Sequence, residues 1–114
     1  MAQKFYGEQG KVLTLLTGTT DLPEIIPGTV DAAREKHIPV YEVNGNTVNV
    51  TVGEVEHPMQ DVHYIEWIAV ETDKGIQFKY LKPGEAPKAS FALTEGEKVT
   101  AVYEYCNLHG LWKG

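Results

Sequence analysis

Only one of the 114 residues is a cysteine. Cys106 therefore has no partner in the chain for a disulfide, and a lone thiol fits a reducing cytoplasm, the compartment expected here. The N-terminus, Met1 to Gly7, lacks the apolar stretch of a signal peptide, and no apolar run approaches membrane-spanning length. Positive charge is scarce: ten Lys and Arg stand against sixteen Asp and Glu, for a formal net charge of −6. That balance argues against a nucleic-acid partner, which would favour a basic stripe. It also gives a small anion no general reason to approach, so an anionic substrate needs a local positive charge to steer it. Helix signals are few, and no internal repeat or low-complexity tract is visible. The length fits one domain with room for a small appendage, and 42% hydrophobic with 23% charged residues is ordinary for a soluble globular protein.

What is present reads mostly as strand and turn. Strands are expected over Lys11 to Leu16, Val40 to Val43, Thr47 to Val52, His63 to Glu71, Ile76 to Leu81, Lys88 to Leu93 and Lys98 to Tyr105. Between Thr47 and Val52 the valines at 48, 50 and 52 alternate with polar residues, the mark of a half-buried strand. Asn44-Gly45-Asn46 and Thr72-Asp73-Lys74-Gly75 read as hairpin turns. The stretch from Asp21 to Gly28 is punctuated by Pro and Gly and reads as a loop, while Thr29 to Lys36 has room for one or two helical turns with Asp31 as a cap. About seven short strands with little helix predict an all-β fold, a β-sandwich. Residues 1–28 are expected to form a small N-terminal unit and residues 29–114 the sandwich domain.

The chemistry-bearing residues are confined to three segments. Every histidine and the only thiol fall in Glu35-Lys36-His37-Ile38-Pro39, in His57-Pro58-Met59 with His63 close behind, and in Cys106-Asn107-Leu108-His109-Gly110. Four imidazoles and one thiolate make a full set of transition-metal ligands, and a single thiolate points to a redox or catalytic ion more than to structural zinc. Taken singly, His37, His57 and His63 read as well as loop or packing histidines, and Cys106 as a small buried hydrophobe. Taken together, each histidine sits at a strand end or connecting loop, where side chains from different strands converge. Glu35 and Lys36 are an ordinary solvated pair unless a metal lies beside them; there they become a candidate carboxylate ligand and a cationic lure. Trp67, Tyr103, Tyr105 and Trp112 read as packing, and Glu54, Glu56 and Glu66 as solvated.

These segments together resemble the superoxide reductases, the group that includes desulfoferrodoxin and neelaredoxin. The likeness runs from about residue 28 to the C-terminus and also takes in Tyr64-Ile65-x-Trp67 and Leu111-Trp112. The resemblance implies an immunoglobulin-like sandwich and one mononuclear iron, cycling between Fe2+ and Fe3+. It gives His37, His57, His63 and His109 as equatorial ligands and Cys106 as the axial one. It further implies that Glu35 binds the ferric ion, that Lys36 attracts superoxide, and that an external donor such as rubredoxin supplies the electron. Relatives form homodimers or homotetramers. Residues 1–29 contain no cysteine, so the second, four-cysteine iron of desulfoferrodoxin has no ligands here; the segment resembles that small domain without its metal.

Three rival readings stay open at the level of sequence. A cupredoxin is also a β-sandwich with Cys then His in a C-terminal loop, but it needs a Met soon after the His, and no Met follows His109. A non-catalytic sandwich with a structural metal predicts a closed coordination shell and indifference to Lys36. A superoxide dismutase shares the substrate but releases oxygen alongside peroxide.

Overall fold

The computed structural model describes residues 3–8 and 10–114. Strands β1 (Phe5–Glu8), β2 (Lys11–Leu13) and β3 (Glu24–Ile25) form a small antiparallel sheet in the order β2-β1-β3. A single helical turn, α1 (Arg34–His37), leads into β4 (Pro39–Asn44) and β5 (Thr47–Val52). These are followed by β6 (Ile65–Thr72), β7 (Gly75–Tyr80), β8 (Lys88–Ala92), β9 (Val99–Cys106) and β10 (Gly110–Lys113). Seven of these strands make the two sheets of an immunoglobulin-like sandwich, ordered β4-β5-β8 and β10-β9-β6-β7. No helix among the described residues is long and apolar enough to cross a membrane.

The number of sandwich strands agrees with the sequence expectation, but one member differs. The run from Lys11 belongs to the small sheet, and its place in the sandwich is taken by β10, which the periodicity did not mark. Segments as short as β1, β3 and β10 carry too few residues for a period of two; tertiary pairing decides them. β3 lies inside the stretch read as loop. The helical turn begins after Ala33, which caps it without a side-chain hydrogen bond, so Asp31 is not its cap.

The core between the sheets is built from Val48, Val50, Val52, Ile65, Ile68, Val70, Phe91, Val102 and Cys106. The alternation in β5 does what its pattern predicts, with all three valines at 0–1% exposure; each such burial contributes roughly 1.5–3 kcal/mol. A bulge in β6 sets Ile65 and Trp67 against the consecutive residues Cys106 and Tyr105 of β9. The extra residue turns Ile65 inward beside Cys106 while Trp67 faces out. A bulge of this kind re-aims side chains next to a site.

The outward face of the four-stranded sheet is covered too. Phe5 of the small sheet packs with Ala69, Ala101, Tyr103 and Leu111, its ring 5.0 Å from Tyr103 and 5.8 Å from Trp67. With apolar cover on both faces, β6 needs no polar alternation, and its residues from Ile68 to Thr72 are all buried.

Candidate metal centre

The three segments singled out in the sequence meet at one end of the sandwich. His37 closes α1. Pro39 disfavours helical backbone at the residue before it, and Ile38 is extended at φ −70°, ψ 118°, so the chain turns into β4 directly after the histidine. His57 follows the turn that ends β5. His63 precedes β6 rather than opening it, in an isolated bridge with Gln60. Cys106 is the last residue of β9, and its pairing with Gly110 closes a three-residue hairpin loop over Asn107, Leu108 and His109. Gly110 takes φ +79°, the left-handed residue such loops require.

Asn107 ties this hairpin to the His63 segment. Tyr64 N–H donates to Asn107 Oδ1 (3.0 Å), Asn107 Nδ2 donates to Val62 O (3.1 Å), and Asn107 N–H donates to Tyr64 O (3.2 Å). Trp112, read from sequence as packing, does pack, but against the site. Its ring lies 5.0 Å from that of His37 at 31°, and its indole N–H donates to His109 O at 3.1 Å. Neither role has a local sequence signal, because both depend on strands brought together by the fold.

The four imidazoles stand in a closed cycle. Neighbouring ring centroids are 4.6 Å apart for His37–His57, 4.7 Å for His57–His63, 5.0 Å for His63–His109 and 4.9 Å for His37–His109, with planes turned 80–84° to one another. The diagonal His37–His63 is longer, 6.4 Å. Near-equal sides and a longer diagonal describe a square, whereas a tetrahedron would make every separation equal. Cys106 Sγ lies 3.9 Å from His109 Nδ1, and Sγ and the donor nitrogens of His37, His57 and His63 all lie within 4.8 Å of one another.

Hydrogen bonds fix which nitrogens face the centre. His37 Nδ1–H donates to Ala33 O and His57 Nδ1–H to Pro58 O, both at 2.7 Å. Each therefore presents an Nε2 lone pair, and the two Nε2 atoms are only 3.2 Å apart. His109 brings Nδ1 to 3.1 Å from His37 Nε2, and His63 Nε2 is buried with no hydrogen-bond partner. Lone pairs held this close repel unless a cation lies among them, and a backbone carbonyl accepting the other ring N–H is a usual second partner of metal-binding histidines. The donor set fits a transition ion in tetragonal surroundings; the tetrahedral shell of structural zinc does not match a square. A cupredoxin set of two imidazoles and a thiolate would leave two of these rings unexplained.

Burial is the largest influence on His37, His57 and His63. It pushes His57 down to about 4, reinforced by the neighbouring histidines and opposed by the bond to Pro58; His37 and His63 also move down, burial first in both. Neutral imidazole is the metal-binding form. Burial raises the Cys106 thiol, while the backbone N–H groups of Leu108 and His109 bond to the sulfur and pull it back. Glu104, on the same face of β9, is wholly buried with neither carboxyl oxygen partnered among the described residues, and burial pushes it well above the usual carboxylate range. Glu35 and Lys36 are exposed and lie outside the donor set. Both are felt electrostatically, Lys36 lowering His63 and Glu35 raising His37.

The family model for desulfoferrodoxin matches residues 29–114. The desulfoferrodoxin of Nitratidesulfovibrio vulgaris is 54% identical over 86 residues, covering 75% of this chain and 67% of that protein. That of Clostridium acetobutylicum is 43% identical over 106 residues, 92% of this chain and 82% of the relative. The crystal structure of the superoxide reductase from Treponema pallidum superposes with a TM-score of 0.82 at 44% identity, covering 100% of this chain and 99% of that one. That match takes in the small sheet as well as the sandwich. With the family model spanning all seven sandwich strands and relatives this similar over most of their length, the chain belongs to the desulfoferrodoxin family of superoxide reductases.

Proposed function

We propose that this oxidoreductase reduces superoxide to hydrogen peroxide, one electron and two protons being consumed per superoxide. The reading places the reaction at one mononuclear iron held by His37, His57, His63, His109 and Cys106. The observation that carries it is the square of four imidazoles with a lone thiol close beside them. Bound iron would supply the one-electron Fe2+/Fe3+ couple.

The chain's own residues do the rest. Lys36, exposed on the turn that ends in His37 and felt electrostatically at His63, gives a net-acidic protein the local positive potential that draws a small anion to this end of the sandwich. Glu35, on the same turn, would be the carboxylate that binds the ferric form. The carbonyls of Ala33 and Pro58 hold two rings in orientation, and the N–H groups of Leu108 and His109 stabilise the sulfur as a thiolate. An external one-electron donor, of which rubredoxin is the candidate, restores the reduced state. The setting proposed is the cytoplasm, with the chain as a homodimer or homotetramer. Residues 1–28 are read as a metal-free counterpart of the small desulforedoxin-like domain, in keeping with a family match that begins at residue 29.

The test is product stoichiometry. Prereduced, iron-loaded protein given superoxide should form one hydrogen peroxide for each superoxide consumed, with no oxygen. Oxygen appearing in step with peroxide, without net oxidation of the protein, would make it a dismutase instead. Loss of iron in Cys106→Ala would tie the metal to the five-donor site.

A further inference from the structure

Gly53 stands where two segments bearing site residues cross. Its φ is +87°, and a Cβ there would collide with Val55 O and lie 2.9 Å from both Glu35 O and the carbonyl carbon of Lys36, all backbone atoms. Two backbone hydrogen bonds hold the crossing: Gly53 N–H donates to Ile38 O (3.3 Å) and Val55 N–H to Glu35 O (3.0 Å). On one side the chain runs on through the turn into His57; on the other it carries Glu35, Lys36 and His37. Other glycines with positive φ, among them Gly45, Gly84 and Gly96, have nothing within 4 Å of a would-be Cβ, so their turns need the angle alone. Gly53 needs both the angle and the empty space.

We infer that Gly53 is a positioning residue: its missing side chain lets the turn before His57 lie against α1 and thereby sets how far Glu35 and Lys36 stand from the imidazole cycle. The contacts lie on both sides of the crossing: Val55 O belongs to the exposed turn 54–56, and the other two atoms to the exposed residues Glu35 and Lys36 of α1, so an added methyl group spreads the turn and α1 apart. His57 keeps its anchor on Pro58 O, and His37, although the last residue of α1, stays packed against Trp112. The functional consequence rests on the roles proposed above for Glu35 and Lys36.

The experiment compares Gly53→Ala with Gly45→Ala in the full-length chain. Gly45→Ala carries the same kind of backbone strain, at φ +60°, without the clash. Gly53→Ala is expected to bind iron as the parent does, to exchange the Val55 amide about tenfold or more faster, and to shift the ferric optical spectrum. Its capture of superoxide should slow severalfold with a weaker response to ionic strength. Gly45→Ala should do none of these. If Gly53→Ala does not fold, Gly53→Asn, which tolerates positive φ while keeping the Cβ, is measured in its place. Unchanged Val55 exchange and ferric spectrum in the position-53 variant, or the same changes in Gly45→Ala, would overturn the inference. Failure of the underlying reading shows elsewhere, as unchanged capture in Lys36→Ile, because amide exchange reports on the crossing itself.

Discussion

Lys36 and Asn107 bound what single residues contribute. Lys36 is exposed, with its charge reaching His63. Lys36→Ile should leave stability within about 0.5 kcal/mol and iron bound, yet slow superoxide capture by about tenfold and flatten its salt dependence; stopped-flow mixing at several ionic strengths measures both. Asn107 acts through the backbone it braces. Asn107→Ala removes its bonds to Tyr64 N–H and Val62 O and should cost about 1–3 kcal/mol in a denaturant titration. As a brace of the His63 segment, its loss should weaken metal affinity by about tenfold or more, in the manner of outer-shell partners. The four imidazoles and the thiol that the fold brings together were legible in the sequence because both groups are rare in it and chemically distinctive. Asn107 was not, since an asparagine in a loop looks the same whether it faces water or two backbone groups of another segment.

At the scale of elements, the hairpin from β9 to β10 carries two of the proposed donors on one turn. Cys106 ends the strand, and Gly110 at φ +79° closes the loop so that His109 comes back over the sulfur. A Cβ at Gly110 would make only ordinary contact with Val30, at 3.8 Å, so Gly110→Ala tests backbone strain alone. It should cost about 1–2 kcal/mol and, by opening the loop, move the spectrum of the bound metal; an unmoved spectrum would show that the loop's shape does not depend on the glycine. The Cys-x-x-His spacing was visible in the sequence, but β10, which makes it a hairpin, was not. The same holds for the bulge at Ile65, which aligns the strand bearing Cys106 with the segment after His63. Periodicity locates strands that are long and one-sided, such as β5. It is silent where a strand is four residues long or buried on both faces, because pairing then decides the structure.

Across the whole molecule, the small sheet and the sandwich meet at Glu71. Gln3 N–H donates to its carboxylate at 2.8 Å and Tyr103 Oη–H at 3.1 Å, with Thr100 Oγ1–H donating as well. Burial alone would raise this acid, but the bonds from Thr100, Gln3 and Tyr103 together hold it below the ordinary carboxylate value. The ionised form is therefore favoured in the fold more than in the unfolded chain. The stability it confers is complete above the unfolded value of about 4.3 and drains away as pH falls through the lower folded value. Acidification through that range should loosen β1 from the four-stranded sheet. The expected signs are faster exchange at the Gln3 amide and a changed emission from Trp67, whose ring packs 5.8 Å from Phe5. In Glu71→Gln the carboxylate is gone, so this acid step should vanish, at a cost of roughly 1–3 kcal/mol because Tyr103 and Thr100 then face a weaker acceptor. If the Gln variant keeps the same acid step, the coupling of the small sheet to the sandwich lies in the apolar packing of Phe5 and not in this carboxylate.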